Sequence, residues 1–442
     1  MKRIYIFIAG LMLIANSQTF DGTGLSFAGN YGAWSRGINS MAYNPANLAM
    51  PRNNTVELNF LSFNVLAANN SFSINSYNRY FTEEGHNGKW SHADKKDILD
   101  LISDDGLGVN FDVNANVLGL AFNNFAMAGQ VIGQGNINLL KSKKLYEIAL
   151  FGDTVDETYK FIEPSLMQGD AYSALKVSFA YAFPFSMKKL MPRKIMDYVP
   201  GLDVLSVGAA VNYYVGFAAF ESRSAEVMMK RIPAQGDDEE SIIYNNYAEA
   251  RTAFNEGSPA GKGFSMDFGL AARYDKDWYI SLSFMNMGGK IKWTENAEMM
   301  YASQRDSIVF NDDDDTDYSF EEDSTAAISS FSTPLPKKMR IAAGYRMLKN
   351  LKLMADYEQG LDDHFGNSTT PKMGAAAEYK VLRWLPLRSG FAVGGKEGFQ
   401  YGMGFGLNFK FFDFDLSYAM KKALWPTYSR GVLLAMGMKL KI

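Results

Sequence analysis

The chain has 442 residues, a formal net charge of −4 and no cysteine. The lack of cysteine excludes disulfide frameworks, thiolate chemistry and a lipid-attachment cysteine. The small net charge, without basic patches interleaved with aromatic residues, argues against nucleic acid as a partner, and no linker-like segment divides the chain into domains.

The first seventeen residues have the parts of a secretion signal. Lys2 and Arg3 supply positive charge, residues 4–15 are apolar, and residues 15–17 (Ala-Asn-Ser) end in small side chains. This order is typical of a signal peptide, and the apolar stretch is shorter than the roughly 20 residues of a membrane-spanning helix. We expect residues 1–17 to be cleaved and the mature chain to be exported.

Most of the remaining chain alternates apolar and polar residues. The residues at 109, 111, 113, 115 and 117 are apolar, and Asn110, Asp112, Asn114 and Asn116 stand between them; the same period runs from Val432 to the last residue. A period of two predicts strands with one apolar face. In an exported chain with 14% aromatic residues, this pattern predicts an antiparallel β-barrel in the outer membrane, although a soluble all-β protein shares the composition.

The predicted connections fall into two classes. Short turns are expected at residues 123–124, 275–276, 348–350 and 411–412, and long polar loops at 82–107, 140–171, 219–262, 294–336 and 359–371. Outer-membrane barrels have this asymmetry, with short periplasmic turns and long external loops. The exception is 184–201, a periplasmic connection in which we expect a short helix. A second helix is expected at 93–102, where Ser91 and Asp94 form a capping box.

Counting back from the last residue gives about fourteen strands, the first at residues 71–81. Residues 18–69 then form an N-terminal hatch, or plug, and residues 70–442 form the barrel. Residues 55–65 also have the pattern of a strand, but single-chain bacterial barrels have even strand counts, which favours leaving this segment in the hatch. A barrel of fourteen strands is wide enough to hold it.

Ten polar residues fall on the strand face opposite the lipid and are candidates to line the lumen. They are Asn110, Asp112, Asn114, Asn116, Asp267, Arg273, Arg340, Arg346, Asp356 and Glu358. They form either a polar passage that a movable hatch opens, or ion pairs with one another and with the hatch, because an unpaired buried charge is costly. The second interpretation is favoured for any individual charge.

Metal and catalytic sites are not favoured. The acidic run at 312–315, with Asp317 and residues 321–323, offers the hard oxygen ligands of calcium but lacks the glycine and final glutamate of an EF-hand, which favours a solvated loop. The cluster of residues 362–364 (Asp-Asp-His) beside Ser368 resembles a base with its orienting acid but has no nucleophile elbow. We therefore expect no metal, no cofactor and no enzymatic activity. Trp278, Trp293, Trp384 and Trp425 lie near strand ends and predict an aromatic girdle.

The predicted hatch contains the motif Asn44-Pro45-Ala46 within residues 37–49. This motif resembles the Asn-Pro-Ala signature near the mature N-terminus of FadL-type outer-membrane proteins, the long-chain fatty-acid transporters, whose wider family includes PorV-like barrels of type IX secretion. Asn47 stands where glycine is common in that family. The resemblance implies a hatch inside a fourteen-strand barrel.

The resemblance and the barrel pattern together predict passive transport of small hydrophobic molecules, such as fatty acids, across the outer membrane. The alternative is a PorV-like barrel that binds protein partners through its external loops. The expected partners are outer-membrane lipid, a hydrophobic small-molecule ligand and, during biogenesis, the barrel-assembly machinery.

Overall fold

The computed structural model describes residues 22–52, 54–86, 89–104, 106–139, 141–152, 158–161, 167–186, 201–232, 241–309, 317–396 and 398–442. Three predictions fall on residues outside these ranges. They concern the signal peptide at 1–17, the helix within 187–200 and the acidic run at 312–315.

Nineteen strands of the described residues form one antiparallel sheet. They are β1 (Val56–Asn69), β2 (Leu107–Phe122), β3 (Phe125–Leu139), β4 (Thr158–Phe161), β5 (Gln168–Ser186), β6 (Leu202–Ile232), β7 (Ser241–Phe254), β8 (Gly261–Tyr274), β9 (Trp278–Trp293), β10 (Ala297–Val309), β11 (Asp317–Ala327), β12 (Phe331–Pro334), β13 (Lys338–Leu348), β14 (Leu351–Gly360), β15 (Lys372–Leu382), β16 (Leu385–Gly394), β17 (Gly398–Asn408), β18 (Phe412–Lys421) and β19 (Gly431–Lys441).

The α-helices of the described residues are short. They are α1 (Gly22–Ser26), α2 (Ser40–Tyr43), α3 (Ile74–Phe81), α4 (Glu83–His86), α5 (His92–Leu101) and α6 (Lys143–Phe151). The 3₁₀ helices are Gly37–Asn39, Pro45–Ala49, His364–Gly366 and Pro426–Tyr428. Within the described residues, we find no helix with the length and apolar character needed to cross a membrane.

Fourteen of the strands close into a ring. The ring runs β1, β2, β3, β5, β6, β8, β9 and then β13 to β19, with every neighbouring pair antiparallel. β19 returns to β1, where Leu440 lies opposite Leu58 and Gly431 opposite Ala68. The predicted fourteen-strand antiparallel barrel is confirmed.

The prediction of a first strand at 71–81 is wrong. The hydroxyl of Ser73 accepts a hydrogen bond of 3.1 Å from the backbone N–H of Ser76 and so begins α3 at this place. β1 supplies the missing strand, which moves residues 56–69 from the predicted hatch into the wall and leaves the strand count unchanged. A bulge between Asn59 and Leu61 shifts the alternation of β1 by one residue, and this shift weakens its strand pattern in the sequence.

The wall is apolar outside and polar inside. In β8, Phe264 and Phe268 are 43% and 46% exposed, whereas Ser265 and Asp267 are fully buried. A closed antiparallel wall pairs its backbone groups between neighbouring strands, which allows its outer face to contact hydrocarbon. The barrel therefore has the architecture of an outer-membrane protein.

The predicted loops at 219–262 and 294–336 are largely strands. β6 continues to Ile232, far past its last pairing with β8 at Gly216. Beyond that point β6 pairs with β7, β7 pairs with β10, and β10 pairs with β11. The other edge of β6 pairs with β4. We call β4, residues 217–232 of β6, β7, β10 and β11 the external sheet. Water reaches both faces of a sheet outside the membrane, so its residues do not alternate as those of the wall do.

Two local predictions are confirmed. Asn123 has a φ of 48°, and Asp275 and Lys276 have φ of 49° and 64°, as tight hairpin turns between strands require. Helix α5 begins after Ser91, whose hydroxyl accepts a hydrogen bond from the Asp94 backbone N–H at 3.2 Å.

The main apolar cluster lies at the external end of the barrel. Trp293 is fully buried there beside Ile291, Tyr214 and Phe331, and its Nε1 donates to Thr333 Oγ1 at 2.8 Å. The predicted place of Trp293 in an exposed girdle is therefore wrong. Trp293 is the last residue of β9 and packs in a cluster that includes Ala219, Ala253 and Ala297 of the external sheet, which buries a tryptophan that the linear sequence places at a strand end.

Candidate functional site

Residues 22–50, here called the inner segment, lie inside the barrel. Helices α1 and α2 and the 3₁₀ helices at Gly37–Asn39 and Pro45–Ala49 make up most of it. Leu25 and Ile38 are 2% and 0% exposed. The segment contacts the inward faces of β5, β6, β8 and β16 to β18, so it fills the lumen at this level.

The Asn44-Pro45-Ala46 motif fastens one end of the inner segment to the wall. The Oδ1 of Asn44 accepts from the Ala46 backbone N–H at 2.9 Å, which caps the 3₁₀ helix that Pro45 begins. Its Nδ2 donates to the carbonyl oxygens of Leu270 and Leu282 at 2.9 and 3.1 Å. One side chain therefore caps the inner segment and bonds to two wall strands.

Two wall glycines make room for this motif. Gly208 of β6 lies opposite Gly269 of β8. A Cβ on Gly269 would lie 1.9 Å from Asn44 Oδ1, and a Cβ on Gly208 would lie 2.3 Å from the Ala46 nitrogen. Ser206 donates to the Ala46 carbonyl at 2.8 Å from the same strand. The backbone of the motif thus lies directly against the backbone of the wall.

A similar glycine pair receives the other end of the inner segment. Gly390 of β16 lies opposite Gly402 of β17. A Cβ on Gly390 would meet the carbonyl oxygen of Phe27 at 2.5 Å, and one on Gly402 would meet that of Leu25 at 2.4 Å. The inner segment is therefore fitted closely against opposite sides of the lumen.

Three of the predicted lumen residues form one ion-pair group on β13 and β14. Arg340 pairs with Glu358 and, at 3.3 Å, with Asp356. It also donates to the carbonyl of Gly29 at 2.8 Å, while Asp356 accepts from the Gly32 backbone N–H at 2.8 Å. These charges bind each other and the inner segment, in agreement with the favoured interpretation of the sequence.

A second buried group lies on β15, β16 and β18. Arg388 pairs with Glu378 at 3.0 Å and with Asp415 at 2.5 Å, and all three side chains are at most 8% exposed. Lys352 pairs with Glu378 at 2.7 Å, and Thr23 of the inner segment donates to Asp415 at 3.0 Å. The sequence prediction of lumen residues missed this group.

The other predicted lumen residues are spread over the wall. Asn114 and Asn116 are 6% and 2% exposed in β2. Asp267 is fully buried and accepts from Asn212 Nδ2 at 2.8 Å and from the Asn286 backbone N–H at 2.6 Å. These amides and carboxylates belong to the hydrogen-bonding network of the inner wall.

The two remaining arginines lie toward the short turns. Arg273 pairs with Asp203 at 3.5 Å, just before the turn at 275–276. Arg346 is exposed, and its guanidinium carbon lies 5.7 Å from the ring centre of Trp34 in the inner segment. The structure therefore does not bring these two residues to the Arg340 group.

Two cavities lie beside the inner segment. The larger, of about 160 Å³, opens among the external ends of the wall strands and includes Asn110 and Asp112 in its lining. Its ionisable lining comprises five basic and two acidic residues, which are Lys338, Arg340, Lys372, Lys396, Lys421, Asp112 and Glu358. Leu25, Leu66, Phe111, Phe365 and Leu433 give it apolar surface as well.

The smaller cavity, of about 90 Å³, lies deeper. Gln134, Lys338, Arg340 and Glu358 line both cavities, so the two meet at these side chains. Residues 41 and 42 of the inner segment bound the smaller cavity as well.

The wall beside the smaller cavity is interrupted. β9 pairs with β13 as far as Met285 and with β12 from Lys290 onward, which leaves residues 286–289 outside both ladders. Asn286 has a φ of 57°, and its Nδ2 donates to the Pro336 carbonyl at 2.9 Å. Met285, Asn286 and Pro336 all line the smaller cavity, so this cavity lies directly behind the break in the ladder.

The carboxylates near His364 stabilise their own loop. Asp362 accepts from the Lys337 backbone N–H at 3.1 Å and from Asn367 Nδ2 at 2.9 Å, and Asp363 accepts from the Thr369 backbone N–H at 3.1 Å. These bonds close the loop between β14 and β15.

Solved structures share this architecture. A deltaS2S3 mutant of the monoaromatic hydrocarbon channel TodX aligns with a TM-score of 0.51 and 10% identity, over 96% of this chain and 98% of that chain. The toluene transporter TbuX of Ralstonia pickettii aligns at 0.49 and 14% identity over 96% and 99%, and a FadL homologue of Pseudomonas aeruginosa at 0.43 and 11% over 97% and 98%. At 10% identity, the TodX alignment shows a shared barrel fold and no more.

One of two sequence comparisons identifies the family of the chain. A search of curated proteins finds no match. The model of a protein family of unknown function, DUF5723, matches residues 45–417, which include the Pro45-Ala46 part of the motif and most of the wall. This match spans more than four-fifths of the chain, and the protein therefore belongs to the DUF5723 family.

Proposed function

We propose that the protein lets small hydrophobic molecules cross the outer membrane passively. The observation that carries this proposal is a closed barrel whose lumen holds an inner segment and two joined cavities, the deeper of them behind a break in the wall ladder. Solved proteins of the same fold are described as a toluene transporter and a monoaromatic hydrocarbon channel, which supports this substrate class.

Uptake into proteoliposomes tests the proposal. Vesicles containing the purified protein should accumulate labelled fatty acid or toluene faster than empty vesicles, without an energy source. Uptake equal to that of empty vesicles for both compounds would refute passive transport.

Fatty acids are the proposed substrates within this class because the larger cavity combines apolar surface with an excess of basic side chains. Lys372 and Lys396 lie at the external ends of β15 and β16 and line this cavity. Lys372 pairs with Glu358 at 3.4 Å, so a carboxylate that enters the cavity would join an existing ion-pair group, while an acyl chain would contact the apolar lining. A neutral hydrocarbon gains nothing from the charges.

The double variant K372Q/K396Q should therefore distinguish these two substrates. We expect its fatty-acid uptake below saturation to fall about tenfold, the equivalent of about 1.4 kcal/mol of lost charge-assisted binding, and its toluene uptake to stay near the original. K96Q on α5, outside the cavity lining, is the matched control. An equal fall for both compounds would show that the lysines act on the barrel and not on the carboxylate.

The proposed exit is sideways, through the break between β9 and β13. A Cβ on Gly289 would lie 3.0 Å from that of Leu335, and these residues share a backbone hydrogen bond of 3.0 Å across the break. The added Cβ would also lie 2.8 Å from the Asn286 carbonyl oxygen, so the backbone must shift slightly to accept it. Disulfides join Cβ atoms about 3.5–4.5 Å apart, so a shift of about half an ångström away from Leu335 brings the pair into that range. The chain has no other cysteine. The variant G289C/L335C should thus form a unique bond across the break.

We expect the oxidised G289C/L335C protein to lose most of its uptake and to recover it on reduction. The single variant L335C, assayed under the same oxidising conditions, controls for the loss of leucine packing. Equal uptake by the oxidised and reduced double variant would indicate that the substrate leaves the barrel past the inner segment and not through the break.

The external sheet supports a second candidate, a PorV-like barrel that binds proteins. Among the described residues, β4 pairs only with β6 and β11 only with β10, so each offers one edge for another strand. A protein that co-purifies from native membranes, together with uptake no faster than that of empty vesicles, would favour this candidate.

A further inference from the structure

An apolar stripe on α3 is largely exposed. Ile74, Tyr77 and Phe81 recur at the spacing of one helix face and are 46%, 55% and 36% exposed. Another face carries Ser76 and Tyr80, which are 8% and 4% exposed. Phe81 also packs edge to face against Phe72 and Trp90, but most of the stripe is uncovered.

A second set of exposed apolar residues lies next to this stripe. The connection between β18 and β19 carries Leu424, Trp425 and Tyr428, which are 58%, 71% and 60% exposed. Its 3₁₀ helix, Pro426–Tyr428, packs beside α3. We call the six residues Ile74, Tyr77, Phe81, Leu424, Trp425 and Tyr428 the rim patch.

The rim patch borders the outer face of the wall and not the lumen. In β18, Ala419 and Lys421 point inward, so Met420 between them points outward. Met420 is nevertheless only 1% exposed, which means that chain outside the wall covers it, and the connection carrying Trp425 begins directly after this strand. On the next strand, Leu434 is outward-facing and 49% exposed, so the rim patch continues the apolar band of the wall.

Hydrogen bonds hold the two parts of the rim patch together. The Asn70 carbonyl, just before α3, accepts from Arg430 Nη1 at 2.7 Å and from Lys422 Nζ at 3.5 Å. Asn69 Oδ1 accepts from the backbone N–H groups of Ser71 and Phe72 at 2.9 and 2.5 Å. The start of α3 and both ends of the β18–β19 connection are therefore tied to one carbonyl and its neighbours.

We infer that the rim patch lies in the headgroup region of the outer leaflet and binds lipid there. Six large apolar or amphipathic side chains left in water would be unfavourable. Tyrosine and tryptophan prefer the boundary between headgroups and acyl chains, and a short amphipathic helix lies in the plane of that boundary. Lipid is the partner that the continuity with the apolar band of the wall indicates. The contact would fix the depth and tilt of the barrel on the side of β18, β19 and β1.

Single cysteines test this inference, since the chain has none of its own. The variants Y77C and W425C, labelled with an environment-sensitive fluorophore, are placed in vesicles that contain phospholipid spin-labelled near the headgroup. L434C on the lipid face of β19 is the lipid-exposed control. N75C, exposed on the polar side of α3, is the water-exposed control on the same helix.

We expect the labels at Y77C and W425C to be quenched by the spin-labelled lipid roughly threefold more strongly than the label at N75C, and to be protected from iodide as the label at L434C is. Labels at Y77C and W425C that are quenched by lipid as weakly, and by iodide as strongly, as the label at N75C would overturn the inference. The rim patch would then lie in water or bind a protein instead of lipid. Heat-modifiable migration in gels confirms that each variant is folded. None of these readouts depends on transport, so a failure of the inference can be distinguished from a failure of the proposed function.

Discussion

Replacing Gly208 with valine is expected to displace the inner segment and open the lumen. A Cβ at this position would lie 2.3 Å from the Ala46 nitrogen and 2.5 Å from the Pro45 carbonyl carbon. The wall strand cannot retreat, because β6 is paired with β5 on one side and with β8 on the other. The inner segment must therefore move. A lumen bounded by fourteen strands is wide enough to pass small solutes once it is emptied.

Leakage of a small hydrophilic dye from proteoliposomes measures this effect. We expect G208V to raise the leakage rate on the order of tenfold or more, given the width of an emptied barrel of this size. Gly129 of β3 provides the matched control, since a Cβ there would meet no atom within 4 Å, and G129V should leak as the original protein does. Equal leakage from the two variants would mean that the motif at residues 44–46 does not hold the lumen closed.

Replacing Arg388 with methionine is expected to destabilise the barrel strongly. The guanidinium lies between Glu378 and Asp415, and its side chain is 4% exposed. Its removal leaves Lys352 to pair with Glu378 and the Thr23 hydroxyl to bond Asp415, but takes away the guanidinium that compensates both carboxylates. Breaking a buried ion pair by removal of one partner costs about 3–5 kcal/mol, because a buried charge is left uncompensated.

Unfolding by urea in lipid vesicles gives the free-energy change for R388M. Arg79 supplies the matched comparison, because it pairs with Asp97 at 3.4 Å while both side chains are more than half exposed. R79M should change the unfolding free energy by less than about 1 kcal/mol. If R388M were as stable as R79M, the idea that the Arg388 group is a buried network that stabilises the barrel would be wrong.

The wall was predictable from the sequence because lipid outside and polar groups inside impose a period of two on its residues. The prediction from this period failed at two places, for opposite reasons. The bulge at Asn59 and Leu61 shifts the alternation of a true strand. Residues 71–81 alternate by chance over a few positions, but the hydroxyl of Ser73 caps a helix there. A serine at both positions of the capping box is a weaker signal in sequence than the usual Glu or Gln at the third helical position.

The candidate site was predictable only in part. Alternation identifies which residues point inward, and it identified Arg340, Asp356 and Glu358, but it does not say which of them meet. Arg388 and Asp415 are 27 residues apart in the chain and meet because β16 and β18 both flank β17. Register across three strands decides this contact, and single-strand patterns do not encode it.

The break in the ladder beside the smaller cavity and the glycine pairs at the inner segment also depend on the pairing of strands, so the sequence alone did not predict them. Gly208 and Gly269 look in sequence like ordinary small residues of two strands. Their role appears only when pairing places them opposite each other and against Asn44. Asn286 is the one position with a sequence signal, because asparagine tolerates a positive φ.

β6 is one continuous strand from the short-turn side of the barrel to the top of the external sheet. Residues 217–232 extend beyond its pairing with β8, which corresponds to roughly 50 Å of chain at about 3.3 Å per residue. A ladder with β7 along one edge, and shorter ladders with β5 and β4 on the other edge, make this length stiff, unlike a loop of equal size. An antibody or a bacteriophage that approaches the cell would thus meet a projection of constant shape before it reached the barrel mouth.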